Sequence, residues 1–128
     1  MRTIPLGARG TFSLRVTRLH LANTFKDAML PEVFATPMMI MAMEKASGIA
    51  IAGRLPPGWI TVGSEVDIKH LAPSPVGRTV TATARVLAVE GRSVLFAVEA
   101  HDGERKIGDG RHKRGAVNLE RFAERYGF

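Results

Sequence analysis

The chain has 128 residues, 45% of them hydrophobic and 23% charged, with no cysteine and a formal net charge of +6. This length implies one domain spanning residues 1–128, close to the size at which oligomerisation adds useful burial. The lack of cysteine excludes disulfides and thiolate chemistry, and no apolar run reaches the roughly 18 residues of a membrane span. The opening MRTIPLGARG carries no apolar secretory segment, so a soluble cytoplasmic protein with no membrane partner is expected. The positive charge attracts anions without choosing among them. Nucleic acid is set aside, because the basic residues are scattered and the densest patch, ERKIGDGRHKR, has no interleaved aromatic residues.

In TFSLRVTRL, Phe12, Leu14 and Val16 alternate as in a strand. An irregular stretch, HLANTFKDAMLPEVF, follows. Thr36 before Pro37 then marks a helix start: the hydroxyl is expected to cap an orphan N–H, and proline costs nothing in the first turn. The apolar run PMMIMAM and its continuation reach about Ala52 and stop at Gly53, before LPPG. A helix apolar on nearly every side is enclosed by protein. One carboxylate, Glu44, interrupts it. Either this acid is paired or catalytic, or it lies on an exposed stripe beside Lys45.

The remainder reads as strand. In ITVGSEVDIKHL, alternation puts Ile60, Val62, Ser64, Val66, Ile68 and His70 on the inward face and Thr61, Gly63, Glu65, Asp67 and Lys69 on the other. RTVTATARVLAVE and SVLFAVEAH are joined by GR, and DGER leads into KIGDGRHKRGAVNL, which predicts an antiparallel meander. GDG reads as a bulge or kink in that last strand. ERFAERYGF is a short terminal helix or a tail. Strand, buried helix, then strands is an α+β order in which one sheet curls around one helix.

Thr36, Glu44 and His70 are the polar residues gathered around this helix. Alcohol, carboxylate and imidazole are the materials of hydrolysis. Each also has a structural explanation: a cap, a solvent-facing acid and a buried histidine satisfied by a carbonyl. Eight residues of helix rise about 12 Å, so Thr36 and Glu44 of one chain do not touch. The free N–H groups and dipole of a helix N-terminus suit a developing oxyanion. Met38, Met39, Met41 and Met43 are core filler that also suits an acyl pocket. His20, His70, His101 and His112 form no metal motif, so neither metal nor cofactor is expected.

The segments ATPMMIMAMEKA, VGSEVDIKHLAPSPVGRTVTATARVLAVEGR and FAVEAHDGERKIGDGRHKR resemble the hot-dog-fold thioesterases, specifically the fluoroacetyl-CoA thioesterase family. The resemblance runs from about Phe12 to Phe122. It implies an antiparallel five-stranded sheet wrapped around one central helix. It also implies hydrolysis of a short or medium acyl-CoA to acid and CoA, without a metal, by Thr36, Glu44 and His70. Gly63 matches a glycine lining the site. Phe34, with Phe25, aligns with the aromatic lid that specialised members build, although selectivity for a fluorinated acyl group does not carry over. Arg114, with Arg111 and Lys113, forms part of a cationic surface suited to polyanionic CoA. The implied assembly is a homodimer with sites between the subunits. A non-catalytic binder of acyl-CoA or another hydrophobic ligand is the alternative.

Overall fold

The computed structural model describes residues 4–128, and of Phe25 only the backbone. Five strands, β1 (Arg9–Arg15), β2 (Trp59–His70), β3 (Thr79–Glu90), β4 (Ser93–Asp102) and β5 (Arg105–Asn118), form one antiparallel sheet in the order β1-β3-β4-β5-β2. The two strands that come first in the chain therefore occupy opposite edges. The connection between them must cross the sheet, and helix α2 (Thr36–Ala50) is that crossing element.

Along α2 the fully buried residues are Met39, Ala42, Met43, Ala46, Ser47 and Ala50. They follow the three-and-four spacing of a single helical face. That face packs on the alternating inner residues of the sheet: Val80, Ala82, Ala84 and Val86 of β3, and Val94, Phe96, Val98 and Ala100 of β4. Each large side chain buried here contributes about 1.5–3 kcal/mol. The small residues of α2 let it lie close to the sheet. Closest is Gly10 on β1, where an added Cβ would overlap the Ala46 carbonyl oxygen and the Ala50 nitrogen. The helix ends at Ala50, slightly before the expected Ala52, and a turn carries the chain through Gly53 at φ 75°.

The predicted meander is present, with turns at Gly91–Arg92 and Gly103–Glu104 between its strands. The irregular stretch before α2 contains a 3-10 turn (Arg18–His20) and the short helix α1 (Ala22–Phe25). The terminal segment is a helix, α3 (Leu119–Tyr126), started by the Asn118 side chain, which accepts from the Arg121 N–H at 3.1 Å.

One expected face is corrected. The β2–β5 register slips between Gly63 and Glu65, leaving Ser64 as a bulge whose hydroxyl donates to the Lys113 carbonyl at 3.1 Å. An extra residue in a strand inverts the facing of everything on one side of it. Beyond the bulge Val66, Ile68 and His70 face inward as expected, paired with His112, Gly110 and Gly108. Before it Thr61 and Gly63 face inward in place of Ile60, Val62 and Ser64, paired with Ala116 and Arg114.

Gly10→Ala is expected to destabilise the protein by about 1–3 kcal/mol or more, because the new methyl group meets backbone that cannot rotate away. Urea denaturation would measure this, with Gly48→Ala, where an added Cβ has nothing within 4 Å, as the tolerated control.

Candidate active site

Thr36 is the first helical residue of α2, and the cap position belongs to Ala35, which makes no side-chain capping bond. The expected cap is therefore overturned. The Thr36 hydroxyl has a stronger attraction 34 residues away, where its Oγ1 lies 2.7 Å from Nδ1 of His70. His70 ends β2, facing inward, and its Nε2 is buried without a hydrogen-bond partner among the described residues. Thr36 and His70 open into a cavity of about 280 Å³, whose walls include Phe34, Lys26, Leu71 and Pro73. Phe34 itself is 1% exposed and meets the His20 ring edge-on. It is a rigid wall of this cavity as well as a core residue.

Glu44 is in a second cluster, two turns further along α2. Lys45 leans the other way, over the Phe12 ring at 5.2 Å. The Glu44 carboxylate faces β5 instead, with Oε2 3.8 Å from Arg114 Nη1 and 3.9 Å from His112 Nε2, and its side chain is 39% exposed. Gly63 makes room for it: a Cβ there would come within 2.8 Å of that same carboxylate oxygen. Glu44 thus has Arg114, His112 and Gly63 rather than Lys45 as its neighbours, with its side chain still partly exposed.

Arg114 is held inside rather than on the cationic surface. Its Nε donates to Thr61 Oγ1 and its Nη2 to the Thr61 carbonyl, both at 2.9 Å, and the side chain is 14% exposed. His112, missed in the sequence, completes the cluster. Its Nδ1 donates to the Glu65 carbonyl at 2.9 Å, beside the bulge, and its ring stacks on Phe96. A guanidinium has only donors, so the contact of 3.2 Å between Arg114 Nη1 and His112 Nε2 requires Nε2 to accept. Both partners thus call for the neutral ring with its proton on Nδ1. Strand alternation was the available signal, since His112 shares a face with Gly110 and Arg114, but the charged run RHKR masked it.

Burial is the main cause that holds His70 below its ordinary value of 6.5, helped by the Lys26 charge and opposed by the Ala72 backbone. Burial also lowers His112, with Arg114 reinforcing the effect and the Glu65 carbonyl and Glu44 opposing it. At neutral pH both rings are therefore uncharged, and Glu44 is balanced by Arg114 rather than by His112. Burial lowers Arg114 too, with Glu44 opposing, yet a guanidinium keeps its charge at any working pH. Among the described residues no group of three or more His, Cys, Asp or Glu is disposed to hold a metal ion.

A sheet of five antiparallel strands closed around one helix is the hot-dog arrangement, and here an alcohol and an imidazole are bonded at the helix N-terminus with a carboxylate on its flank. Residues 16–120 match the fluoroacetyl-CoA-specific thioesterase family. The fluoroacetyl-CoA thioesterase of Streptantibioticus cattleyicolor is 45% identical over 95 residues, 74% of this chain and 68% of that protein. A variant of the fluoroacetyl-CoA-specific thioesterase FlK, solved with fluoroacetate and CoA, is similar with a TM-score of 0.87 at 38% identity, covering 92% of this chain and 98% of the other. A hot-dog-like protein from Thermanaerovibrio acidaminovorans gives a TM-score of 0.87 at 25% identity, covering 96% and 90%. The chain belongs to the fluoroacetyl-CoA-specific thioesterase family.

The sign of the pH effect follows from the lowered histidines. Unfolded, each binds a proton near 6.5, and folded, only at lower pH. Their contribution to stability is therefore complete above 6.5 and is lost as pH falls through the folded values. Urea midpoints should drop between pH 7 and 5, and His112→Gln, which keeps a donor and an acceptor, should reduce that dependence. His112→Leu, which leaves buried partners unsatisfied, should lose about 1–3 kcal/mol at pH 7.

Proposed function

We propose that this chain hydrolyses short or medium acyl-CoA thioesters to the free acid and CoA, at sites shared between the two subunits of a cytoplasmic homodimer. The observation that carries the chemistry is the Thr36 Oγ1 to His70 Nδ1 contact of 2.7 Å at the mouth of a cavity. A thioester carbonyl seated there has its developing oxyanion at the positive end of α2. His70, uncharged at neutral pH, accepts the proton of the attacking oxygen, either the Thr36 hydroxyl or a water held by it. The oxygen–carbon bond forms, the carbon–sulfur bond breaks, and the proton passes to the departing CoA thiolate. Where Thr36 is the attacking oxygen, a water activated by His70 then adds to the acyl-threonine ester, the ester bond to Thr36 breaks, and the acid leaves as the hydroxyl regains its proton. The anionic Glu44, braced by Arg114, orients water or stabilises the charged base.

The separation of the two clusters supports shared sites. Gly63 and His70 are seven residues apart on β2, roughly 23 Å along the strand, and Thr36 and Glu44 are about 12 Å apart along α2. β2 is an edge strand with Val66 45% exposed, and Ile49 of α2 is 48% exposed. An isologous, antiparallel pairing of β2 with its copy, centred between Gly63 and His70, would bring Glu44 of one protomer to His70 of the partner subunit. It would also satisfy the open edge and cover the remaining apolar side of α2.

Purified protein should release free thiol from acyl-CoA, and Glu44→Ala and His70→Ala should each lower the rate about a hundredfold or more. Mixing the two inactive variants under subunit exchange should restore about one quarter of wild-type activity, since half the dimers are mixed and one of their two sites is whole. Failure to complement would place the whole site in one chain. Acyl-CoA binding without turnover by the wild-type protein would favour the non-catalytic binder.

A further inference from the structure

Beyond the two clusters, a cavity of about 230 Å³ lies where α3 meets the start of β2 and the β3–β4 turn. Its walls include Trp59, Arg92, Asn118, Arg121, Phe122 and Arg125. The guanidinium of Arg92 lies over the Trp59 ring at 4.9 Å. Asn118, Arg121, Phe122 and Arg125 recur at the spacing of a single helical face, so both arginines of α3 point the same way, while Glu120 and Glu124 fall on another side. Among the described residues none of these three arginines pairs with a carboxylate. Three positive groups have been brought together without a counter-charge, an arrangement that repels itself unless an anion is present.

The walls are firmly built. The Arg92 carbonyl accepts from the Ala116 N–H at 2.7 Å, and the Gly58 carbonyl accepts from the Leu119 N–H at 2.9 Å. Phe122 is backed by Tyr126 and Phe128, with ring centroids at 5.1 and 5.6 Å. Guanidinium forks match phosphate oxygens, and indole, phenyl and guanidinium planes all stack on a purine. A group carrying several phosphates and a flat base fits this chemistry better than a simple anion does.

The location agrees. Trp59 and Thr61 are on the same face of β2, about 6.6 Å apart along the strand, and Thr61 holds the Arg114 that faces Glu44. We infer that this pocket is the docking site for the 3′-phosphorylated adenosine diphosphate end of the CoA substrate, with the pantetheine arm running along β2 toward the Glu44 cluster. This assignment rests on the thioesterase reading above and adds the place where the leaving group is recognised. Arg92, Arg121 and Arg125 are binding residues remote from the reacting carbonyl.

The test compares acyl-CoA with the matching acyl thioester of N-acetylcysteamine, which has the same reacting bond and no nucleotide. In the Arg121→Ala/Arg125→Ala double variant, KM for acyl-CoA should rise about tenfold or more, as loss of charge-assisted bonds implies, while kcat/KM for the truncated thioester stays at the wild-type value. Adenosine 3′,5′-bisphosphate should bind the wild-type protein in calorimetry and fail to bind the double variant. Equal losses on both substrates, or no change on either, would overturn the subsite. If the wild-type protein cleaved neither thioester, the proposed function would fall. The bisphosphate titration would still decide the pocket, since it needs no turnover and its absence in the wild type rejects the assignment.

Discussion

Everything in this molecule depends on enclosing α2. A helix with Met39, Ala42, Met43, Ala46 and Ala50 on one face is stable in water only when that face is covered. The sheet covers it by curling until β1 touches the helix backbone, a contact that tolerates only glycine at position 10. This closeness fixes the axial position of the helix against the strands. The N-terminus of α2 is thereby held where β2 ends, and the middle of the helix is held opposite β5. Thr36 meets His70, and Glu44 meets Arg114, because the apolar packing leaves no other registry.

The polar groups are then oriented by backbone rather than by one another alone. The bulge after Gly63 inverts the facing of β2, which turns Gly63 and Thr61 toward the helix and frees the Glu65 carbonyl for His112. Thr61 pins the Arg114 guanidinium through its hydroxyl and its carbonyl. Such preset dipoles need no rearrangement when charge develops nearby. The Glu44 carboxylate is left half-exposed, nearly 4 Å from its cation, rather than closed into a tight charge-assisted pair.

A comparison within the chain shows how differently it treats its cations. Asp102, 2% exposed, is gripped by Arg78 at 2.6 Å and approached by Arg105 at 3.4 Å, tying together the ends of β3, β4 and β5. Its carboxyl stays below the usual range even though burial alone would raise it, because the Arg78 hydrogen bond and the two arginine charges outweigh burial. Those arginines are structural. The arginines around Trp59 and Phe122 have no such partner among the described residues.

The amino-acid sequence by itself determined the element types. The three-and-four spacing of α2, the alternation in β3 and β4, and the glycine turns between strands are local signals, and local physics is enough to read them. It also pointed, through its family resemblance, to Thr36, Glu44, His70 and Gly63. Only the tertiary structure decided what those residues touch. Thr36 does not cap its helix because a histidine 34 positions away competes for the hydroxyl, and no local window contains that competitor. The facing of β2 turned on a single extra residue, which alternation cannot reveal without the partner strand. His112 and Arg114, read as part of a charged surface run, proved to be interior because pairing with β2 turned them inward. Side-chain contacts between distant segments depend on registry, and registry is settled when helix and sheet close on each other.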